Sequence, residues 1–303
     1  MNQKNKICFS VVIPTYNEEA PIGHVLESLR DFLLSFLTEE DFEIIVVDDG
    51  STDATAKNAS AVSGVRVIRR PKNMGYGATI KTGIRNAKFE WIFLMDGDGQ
   101  HKPESINDFL QAIEEGYDMA IGAREKRSYT LWYRELGKKL MKIVANLLAD
   151  EKIPDLNSEM RVFNKKVFTK YEPLYPNGFS ITTAMTLAFM GDGYTVKFIP
   201  ITTLPRVGRK SNVKIIRDGL NTLIIILRAI SLFNPLRVFI PTSVAIGLLC
   251  IVYSIFGFMI ASRIPRTSII LIVVSVLIFL FGILADQLAL LRKQHTSDQN
   301  RAF

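Results

Sequence analysis

Residues 90–100, EWIFLMDGDGQ, join a short apolar run to an acidic turn, and this stretch indicates the fold. The run 90–95 has the length and composition of a buried strand. Asp96 and Asp98 follow it two residues apart, with glycines that suit a tight turn. Two carboxylates on such a turn can present oxygens to one Mg²⁺ or Mn²⁺ ion, although an ordinary polar turn has the same composition.

The same pattern recurs along the first half of the chain. Strands are expected at 7–13, 43–47, 65–69 and 90–95, and helices between them at 20–36, 53–62 and 76–87. This alternation predicts an α/β fold with a mostly parallel, doubly wound sheet. Ligands of such sheets bind at the carboxyl ends of the strands. Polar loops follow three of the runs there, at residues 14–18, 48–53 and 96–100.

The second half continues the α/β pattern and ends in two long apolar stretches. Strands are expected at 117–121 and 194–199, and helices at 132–149 and 180–190. Residues 238–262 and 267–285 contain no charged residue. A membrane-spanning helix needs about 20 apolar residues, so these stretches predict two transmembrane helices; the alternative is a pair of buried core helices. The expected division is an α/β domain at 1–212, an amphipathic interfacial helix at 213–236, and a hairpin at 237–303 with helices at about 238–261 and 267–290 and a short tail.

Basic residues concentrate on both outer flanks of the hairpin, whereas its turn at residues 263–266 is short. By the positive-inside tendency, we expect a multi-pass protein of the cell membrane with the α/β domain and both termini in the cytoplasm. The net charge of +7 then indicates anionic lipid as a partner, and no nucleic acid is expected. Cys8 and Cys250 predict neither a disulfide nor a metal cluster.

Four residues at the expected strand ends suit the binding of a nucleotide and a phosphate. Asp49 can accept hydrogen bonds from a base edge or a ribose, and Tyr16 can stack on a base. Arg124 can bind phosphate oxygens in a bidentate manner, and Asp155 is the candidate that orients a nucleophile. Each also has a simpler interpretation, such as loop packing for Tyr16, a solvated charge for Arg124 and a helix cap for Asp155.

The chain resembles the inverting family 2 glycosyltransferases of the GT-A fold, and within them the dolichyl-phosphate mannose synthases and polyprenyl-phosphate glucosyltransferases. Three motifs carry the resemblance: PTYNE at 14–18, DDGSTD at 48–53 and MDGDGQHKPE at 95–104. The likeness covers roughly residues 7–215. It implies a nucleotide-diphosphate sugar as donor, a polyprenyl phosphate lipid as acceptor, and Mg²⁺ or Mn²⁺ as cofactor.

The resemblance also implies roles for the residues at matching positions. The nucleoside would be held by Pro14, Tyr16, Glu18 and Asp49. The metal would be surrounded by Asp96, Asp98 and Gln100. Arg124 would reach the diphosphate, while the acceptor side would contain Asp155, Ser158 and Arg161. Close to the membrane, the acceptor phosphate would meet Arg206 and either Lys210 or Lys214.

Two departures from the family pattern are visible. The family segment Ser-Gly-Phe-Arg reads Ser158-Glu159-Met160-Arg161 here, so the local acceptor geometry differs. The basic motif Arg-x-x-Gly-x-Ser-Lys appears as RVGRKSN at residues 206–212, which leaves the choice between Lys210 and Lys214 open. Paired membrane helices often pack against those of a second copy, which allows a homo-oligomer.

The expected activity is therefore an inverting transfer of a hexose from a UDP-glucose or GDP-mannose type of donor to undecaprenyl or dolichyl phosphate. Asp98, Arg124 and Asp155 are expected to act at the reacting groups. One alternative is the same chemistry on another lipid, such as a diacylglycerol, or on a polysaccharide. A more remote alternative is a membrane protein that binds nucleotide sugars without turning them over.

Overall fold

The computed structural model describes residues 7–124, 153–155, 158–204 and 235–301, with the side chains of Ala261 and residues 292–301 left aside. The chain forms two compact units, an α/β unit and a helical hairpin. The expected helix at 132–149, nearly all of the interfacial segment 213–236, and Arg206, Lys210 and Lys214 lie outside the described residues.

The α/β unit contains seven strands and six α-helices among these residues. The strands are β1 (Phe9–Thr15), β2 (Phe42–Asp48), β3 (Val65–Arg69), β4 (Trp91–Leu94), β5 (Met119–Arg124), β6 (Arg161–Asn164) and β7 (Val196–Ile201). The helices are α1 (Ile22–Leu34), α2 (Thr55–Ser60), α3 (Tyr76–Asn86), α4 (Ile106–Glu114), α5 (Lys165–Tyr171) and α6 (Ile181–Gly191). Each strand expected from the sequence is present, β3 with the expected ends and the others with shifted ends, whereas α4, α5 and β6 were not expected.

The seven strands form one mixed sheet in the order β3-β2-β1-β4-β6-β5-β7. Only β6 runs antiparallel to its neighbours β4 and β5; the other pairings are parallel. Arg161, the first residue of β6, pairs with Leu94, the last residue of β4, and with Ile121 in the middle of β5, and the amide of Gly122 donates to the carbonyl of Met160 at 2.9 Å. The chain that leads into β6 therefore lies at the same edge as the carboxyl ends of the parallel strands, and this reversal positions part of the site.

The core consists of layers on both faces of the sheet, as expected for a doubly wound fold. On one face, Phe9 and Phe93 are fully buried with side chains of α1 and α4 such as Leu29 and Phe109. On the other face, α3 approaches so closely that a side chain at Gly83 would collide with Val12. Burying each large apolar side chain contributes about 1.5–3 kcal/mol, so these layers hold the strand ends in fixed places.

The C-terminal unit is a hairpin of two long helices, α7 (Leu236–Ala261) and α8 (Arg266–Arg301). The stretches Leu236–Ile260 and Arg266–Leu291 are long and apolar enough to cross a membrane, with mean hydropathies of 2.3 and 3.1. The helices join through Ser262, whose φ of 49° lies in the left-handed region. The Ser275 hydroxyl donates to the carbonyl of Ser243 at 2.7 Å, which ties one helix to the other.

Candidate active site

The loops after β1 and β2 are joined by hydrogen bonds at the carboxyl edge of the sheet. The amide of Asn17 donates to the Ser51 hydroxyl at 2.9 Å, and the amide of Thr52 donates back to the Asn17 side-chain oxygen at 2.9 Å. Asn17 adopts a φ of 55°, a conformation that asparagine tolerates better than most residues. The amide of Glu18 donates to the Thr55 hydroxyl at 2.8 Å. The two motifs recognised separately in the sequence are thus one structural element.

The residues expected to bind the nucleoside lie close together, three of them at or just after the end of β1 and the fourth, Asp49, just after β2. Pro14 is buried at the end of β1, Tyr16 is half-buried, and Glu18 is buried. The amide of Asp49 donates to the carbonyl of Thr15 at 2.9 Å. The structure therefore brings these four residues together at one edge.

The carboxylate of Asp49 is already held by the protein. It accepts from the amides of Met74 at 3.1 Å and Gly75 at 2.9 Å, and it forms an ion pair with Arg70 at 3.0 Å. Its side chain is only 4% exposed. Asp49 thus anchors the segment before α3, a role that the sequence analysis did not foresee.

The acidic turn after β4 holds its two carboxylates in different ways. Asp96 is half-buried, and its Oδ1 accepts a hydrogen bond of 2.8 Å from the Tyr76 hydroxyl. Burial, reinforced by the charge of Asp96, raises the pKa of Tyr76 well above its ordinary value, so this hydroxyl stays a donor. Asp98 is buried and accepts from the backbone amide of Gln100 at 3.1 Å and from its side-chain amide at 2.5 Å. The three expected metal-binding residues therefore lie on one short turn.

Arg124 at the end of β5 and Asp155 in the segment before β6 form a two-point ion pair. Arg124 Nε donates to Asp155 Oδ2 at 2.8 Å, and Nη2 donates to Oδ1 at 3.3 Å. Glu159 Oε2 lies 3.7 Å from Arg124 Nη1. Burial alone would lower the pKa of Arg124, but the hydrogen bond that Arg124 donates to Asp155 and the charges of Glu159, Asp155 and Asp96 outweigh it and raise that pKa.

Among the residues that the structure describes, carboxylates outnumber cations around Arg124 and Arg161. Asp155 and Glu159 lie 2.8 and 3.7 Å from Arg124, and Asp96 and Asp98 follow β4 at the same edge, where Leu94 pairs with Arg161. Burial raises the pKa of Glu159, and the charges of Asp155 and Asp98 act in the same direction against Arg124.

A hard divalent cation would balance this excess of negative charge. Among the residues that the structure describes, no group of three or more His, Cys, Asp or Glu side chains is arranged to hold a metal by itself. Asp96 and Asp98 with the amide oxygen of Gln100 supply the oxygen donors that Mg²⁺ and Mn²⁺ prefer, so the residues present fit such an ion.

Arg161 and Ser158 lie deeper than the sequence analysis expected for residues that touch a substrate. Both are fully buried. Arg161 Nη1 donates to the carbonyl of Thr182 in α6 at 3.0 Å, and Nη2 donates to the carbonyl of Ser158. Burial lowers the pKa of Arg161 to about 10. In this structure Arg161 therefore links the segment before β6 to α6.

Two residues of this edge escaped the sequence analysis as functional candidates. Glu159 was noted only as a departure from the family pattern, and that departure was the signal that could have identified it. Tyr76 was expected only as the first residue of the helix at 76–87. Its hydrogen bond to Asp96 spans 20 positions of sequence, so no local pattern predicts it.

Comparisons with known proteins agree with this architecture. Residues 10–172 match the family model described as glycosyl transferase family 2, and residues 234–291 match the model described as GtrB C-terminal hairpin. The fold is similar to that of glucosyl-3-phosphoglycerate synthase from Mycobacterium tuberculosis, crystallised with Mn²⁺, uridine diphosphate and glucosyl-3-phosphoglycerate. The TM-score is 0.59 at 19% identity, covering 74% of this chain and 80% of that one.

Two curated relatives have names that state an activity. Dolichol-phosphate mannosyltransferase of Pyrococcus furiosus is 34% identical over 215 residues, which are 68% of this chain and 59% of that protein. Undecaprenyl-phosphate 4-deoxy-4-formamido-L-arabinose transferase of Proteus mirabilis is 31% identical over 168 residues, covering 54% of this chain and 50% of that protein. This chain thus spans between half and three fifths of the length of these two relatives.

Proposed function

Because the chain belongs to glycosyl transferase family 2, we propose that it transfers a hexose, with inversion, from a nucleotide-diphosphate sugar to a polyprenyl phosphate at the cytoplasmic face of the cell membrane. The observation that carries the proposal is that the Arg124–Asp155 pair lies at the same edge of the sheet as the Asp96–Asp98 turn, because β6 joins β4 to β5 there. Names of relatives that use dolichol phosphate and undecaprenyl phosphate support the choice of acceptor.

Binding of the donor would use the two joined loops. Tyr16 would stack on the base, while Pro14, Glu18 and Asp49 would line the nucleoside site. Since Asp49 already holds the segment 70–75 through its carboxylate, a nucleoside bound there would rest against a rigid wall. Rigid placement keeps the donor in one orientation, and orientation is a large part of the rate of a two-substrate reaction.

The leaving group would be stabilised by Arg124 and by a divalent cation. Asp96, Asp98 and Gln100 would hold Mg²⁺ or Mn²⁺, which supplies Lewis-acid stabilisation of the diphosphate when bound. Arg124 offers a planar guanidinium that suits two phosphate oxygens, and to bind them it has to exchange part of its pairing with Asp155.

That exchange would release Asp155 for the acceptor. A phosphate monoester is already largely ionised near neutral pH, so Asp155 would orient the attacking oxygen rather than remove a proton. The phosphate oxygen forms a bond to the anomeric carbon as the bond to the nucleoside diphosphate breaks. Ser158 would complete the acceptor side with Arg161 as its support, and Arg206 with Lys210 or Lys214 would bind the lipid phosphate.

The helical hairpin explains why a lipid acceptor is chosen over a soluble one. A polyprenyl chain stays in the bilayer, so its enzyme gains from being anchored there, and α7 and α8 have the length and hydropathy for this. We include in the proposal that both termini are cytoplasmic and that hairpins of two copies can pair.

The test is sugar transfer by membranes that contain the protein. Labelled UDP- and GDP-sugars would be offered with undecaprenyl or dolichyl phosphate, with Mg²⁺ or Mn²⁺ and again with a chelator. Label in the lipid that disappears with the chelator supports the whole proposal and identifies the donor. Label on diacylglycerol or a polysaccharide instead would overturn the acceptor assignment, and no transfer to any acceptor by folded protein would overturn the catalytic one.

A further inference from the structure

Residues 74–77 connect the two halves of the proposed donor site. The amides of Met74 and Gly75 donate to Asp49 on the nucleoside side, at 3.1 and 2.9 Å. One residue further, the Tyr76 hydroxyl donates to Asp96 Oδ1 at 2.8 Å on the metal side. A single short segment therefore touches carboxylates from two different strand ends.

Packing holds this segment in place from its other side. The ring of Tyr76 stacks on Phe179, with centroids 5.2 Å apart and planes 17° from parallel. The amide of Gly77 donates to the carbonyl of Asn177 at 2.8 Å. Gly75 has a φ of 99°, and a side chain there would come within 2.5 Å of the Asn177 carbonyl oxygen. Neither Gly75 nor Gly77 leaves room for a side chain, so the backbone of residues 176–178 can lock the start of α3.

The contact between Tyr76 and Asp96 has the form of an outer support for a metal ligand. A carboxylate whose one oxygen accepts a fixed hydrogen bond can rotate only at a cost, so its second oxygen points in a defined direction. Losing such a support typically weakens metal binding about 10- to 100-fold. The aromatic stack below the phenol ring prevents the hydroxyl from following a moving carboxylate.

We propose that Tyr76 is a positioning residue that orients Asp96 toward the divalent cation. Through residues 74–77 it also links the position of Asp96 to that of Asp49 in the proposed nucleoside site. The inference rests on the proposed function, because it assumes that Asp96 is a metal ligand. Phe179 acts through Tyr76 by fixing the plane of its ring. Tyr76 itself does not touch the reacting atoms.

The decisive variant is Tyr76→Phe, which keeps the aromatic ring and the stack on Phe179 but removes the hydroxyl. The matched control is Tyr171→Phe, because the Tyr171 hydroxyl also contacts a carboxylate, that of Asp192 just beyond the far end of α6. The full-length protein in detergent would be titrated with Mn²⁺, alone and with UDP or GDP, and free Mn²⁺ followed by electron paramagnetic resonance.

We expect Tyr76→Phe to raise the dissociation constant for Mn²⁺ about tenfold or more, while Tyr171→Phe stays within twofold of the parent protein. Binding of the nucleoside diphosphate in chelator should remain unchanged in both. A folded Tyr76→Phe protein with the parent affinity for Mn²⁺ would overturn the inference. That result would not affect the proposed transfer reaction. If the parent protein binds no Mn²⁺ at all, the inference fails together with the metal assignment, whereas transfer in chelator would still support the reaction.

A second variant covers the case in which Tyr76→Phe does not fold. Phe179→Leu keeps the hydroxyl but removes the stack, and Phe179 is 45% exposed, so the fold should tolerate the change. It should weaken Mn²⁺ binding by a smaller factor, about threefold to tenfold, because the hydroxyl is still present but less fixed. An unchanged Mn²⁺ affinity in this variant would count against the inference.

Discussion

Arg124 and Asp155, 31 positions apart in sequence, meet through two hydrogen bonds at the carboxyl edge of the sheet. Arg124 is the last residue of β5, and Asp155 lies in the segment before β6. Because β6 is antiparallel to β5, the segment before β6 lies at the same edge of the sheet as the end of β5. A guanidinium that binds one carboxylate at two points is equally suited to two oxygens of a phosphate. In the proposed function, this pair would lie where the donor diphosphate and the acceptor phosphate meet.

Replacing Arg124 by lysine should strongly reduce transfer. Lysine keeps the charge but loses the planar pair of donors, so it can no longer bind two oxygens at once. We expect kcat/KM to fall roughly 100-fold, in line with the loss of one well-placed donor at a developing charge. Arg85→Lys, at a 67% exposed arginine paired with Glu172, is the control and should stay near the parent value. Equal rates for both variants would remove Arg124 from the mechanism.

Replacing Asp98 by asparagine should abolish the stimulation by Mg²⁺ or Mn²⁺. The neutral amide keeps the shape of the turn but withdraws one of the carboxylates assigned to the ion. Transfer should be measured against metal concentration, with Asp108→Asn on the exposed surface of α4 as the control. A parent-like metal dependence in Asp98→Asn would contradict the metal role of this residue.

Replacing Glu159 by glutamine should stabilise the protein, and more so at pH 8 than at pH 5. Burial raises the pKa of Glu159 in the folded state, so the folded carboxyl holds its proton more tightly than the unfolded one. Stability from this group is therefore present at low pH and is lost as pH rises from the unfolded value through the folded one. Glutamine removes that loss.

The measurement is the thermal midpoint of the full chain in detergent at the two pH values. The gain in the thermal midpoint should be larger at pH 8 than at pH 5. Glu40→Gln changes an exposed carboxylate and should shift the midpoint little at either pH. A larger gain at pH 5 than at pH 8 would show that the assigned direction of the pKa shift is wrong.

Replacing Arg161 by alanine should destabilise the fold. The change empties a fully buried volume and removes the guanidinium donors to the carbonyls of Ser158 and Thr182, of which the latter keeps its bond from the Thr186 hydroxyl. Such losses cost roughly 3 kcal/mol or more together, which is about 6–12 °C in the thermal midpoint. Unchanged stability combined with lost affinity for the acceptor would instead restore Arg161 to the direct substrate contact expected from the sequence.

The sequence came close on the elements that depend on local pattern. The alternation of apolar strands and amphipathic helices predicted the first four strands of the sheet to within a few residues. It missed β6, which has only four residues and follows a loop without a distinct signal. It also missed α4, although Phe109 and Ile113 lie four positions apart on its buried face.

Some site residues could likewise be found from local sequence, whereas the contacts between others depend on the tertiary structure. Asp96, Asp98 and Gln100 could be found because they follow one strand within a few positions, and burial of the last three residues of β4 fixes where the turn begins. That Arg124 pairs with Asp155 could not be read from either residue, because it depends on β6 inserting between β4 and β5. The support of Asp96 by Tyr76 likewise depends on how residues 176–179 pack on α3.

The sequence by itself therefore determined the α/β architecture, the two apolar C-terminal helices, and the acidic loops at the strand ends. These follow from residue periodicity and turn chemistry, which act over a few positions. Only the tertiary structure decided which charged side chains face one another, which of them are buried, and that Arg161 donates to the carbonyls of Ser158 and Thr182. Such relations arise from strand order and close packing between distant segments, because a hydrogen bond or an ion pair depends on distance in space and not on position along the chain.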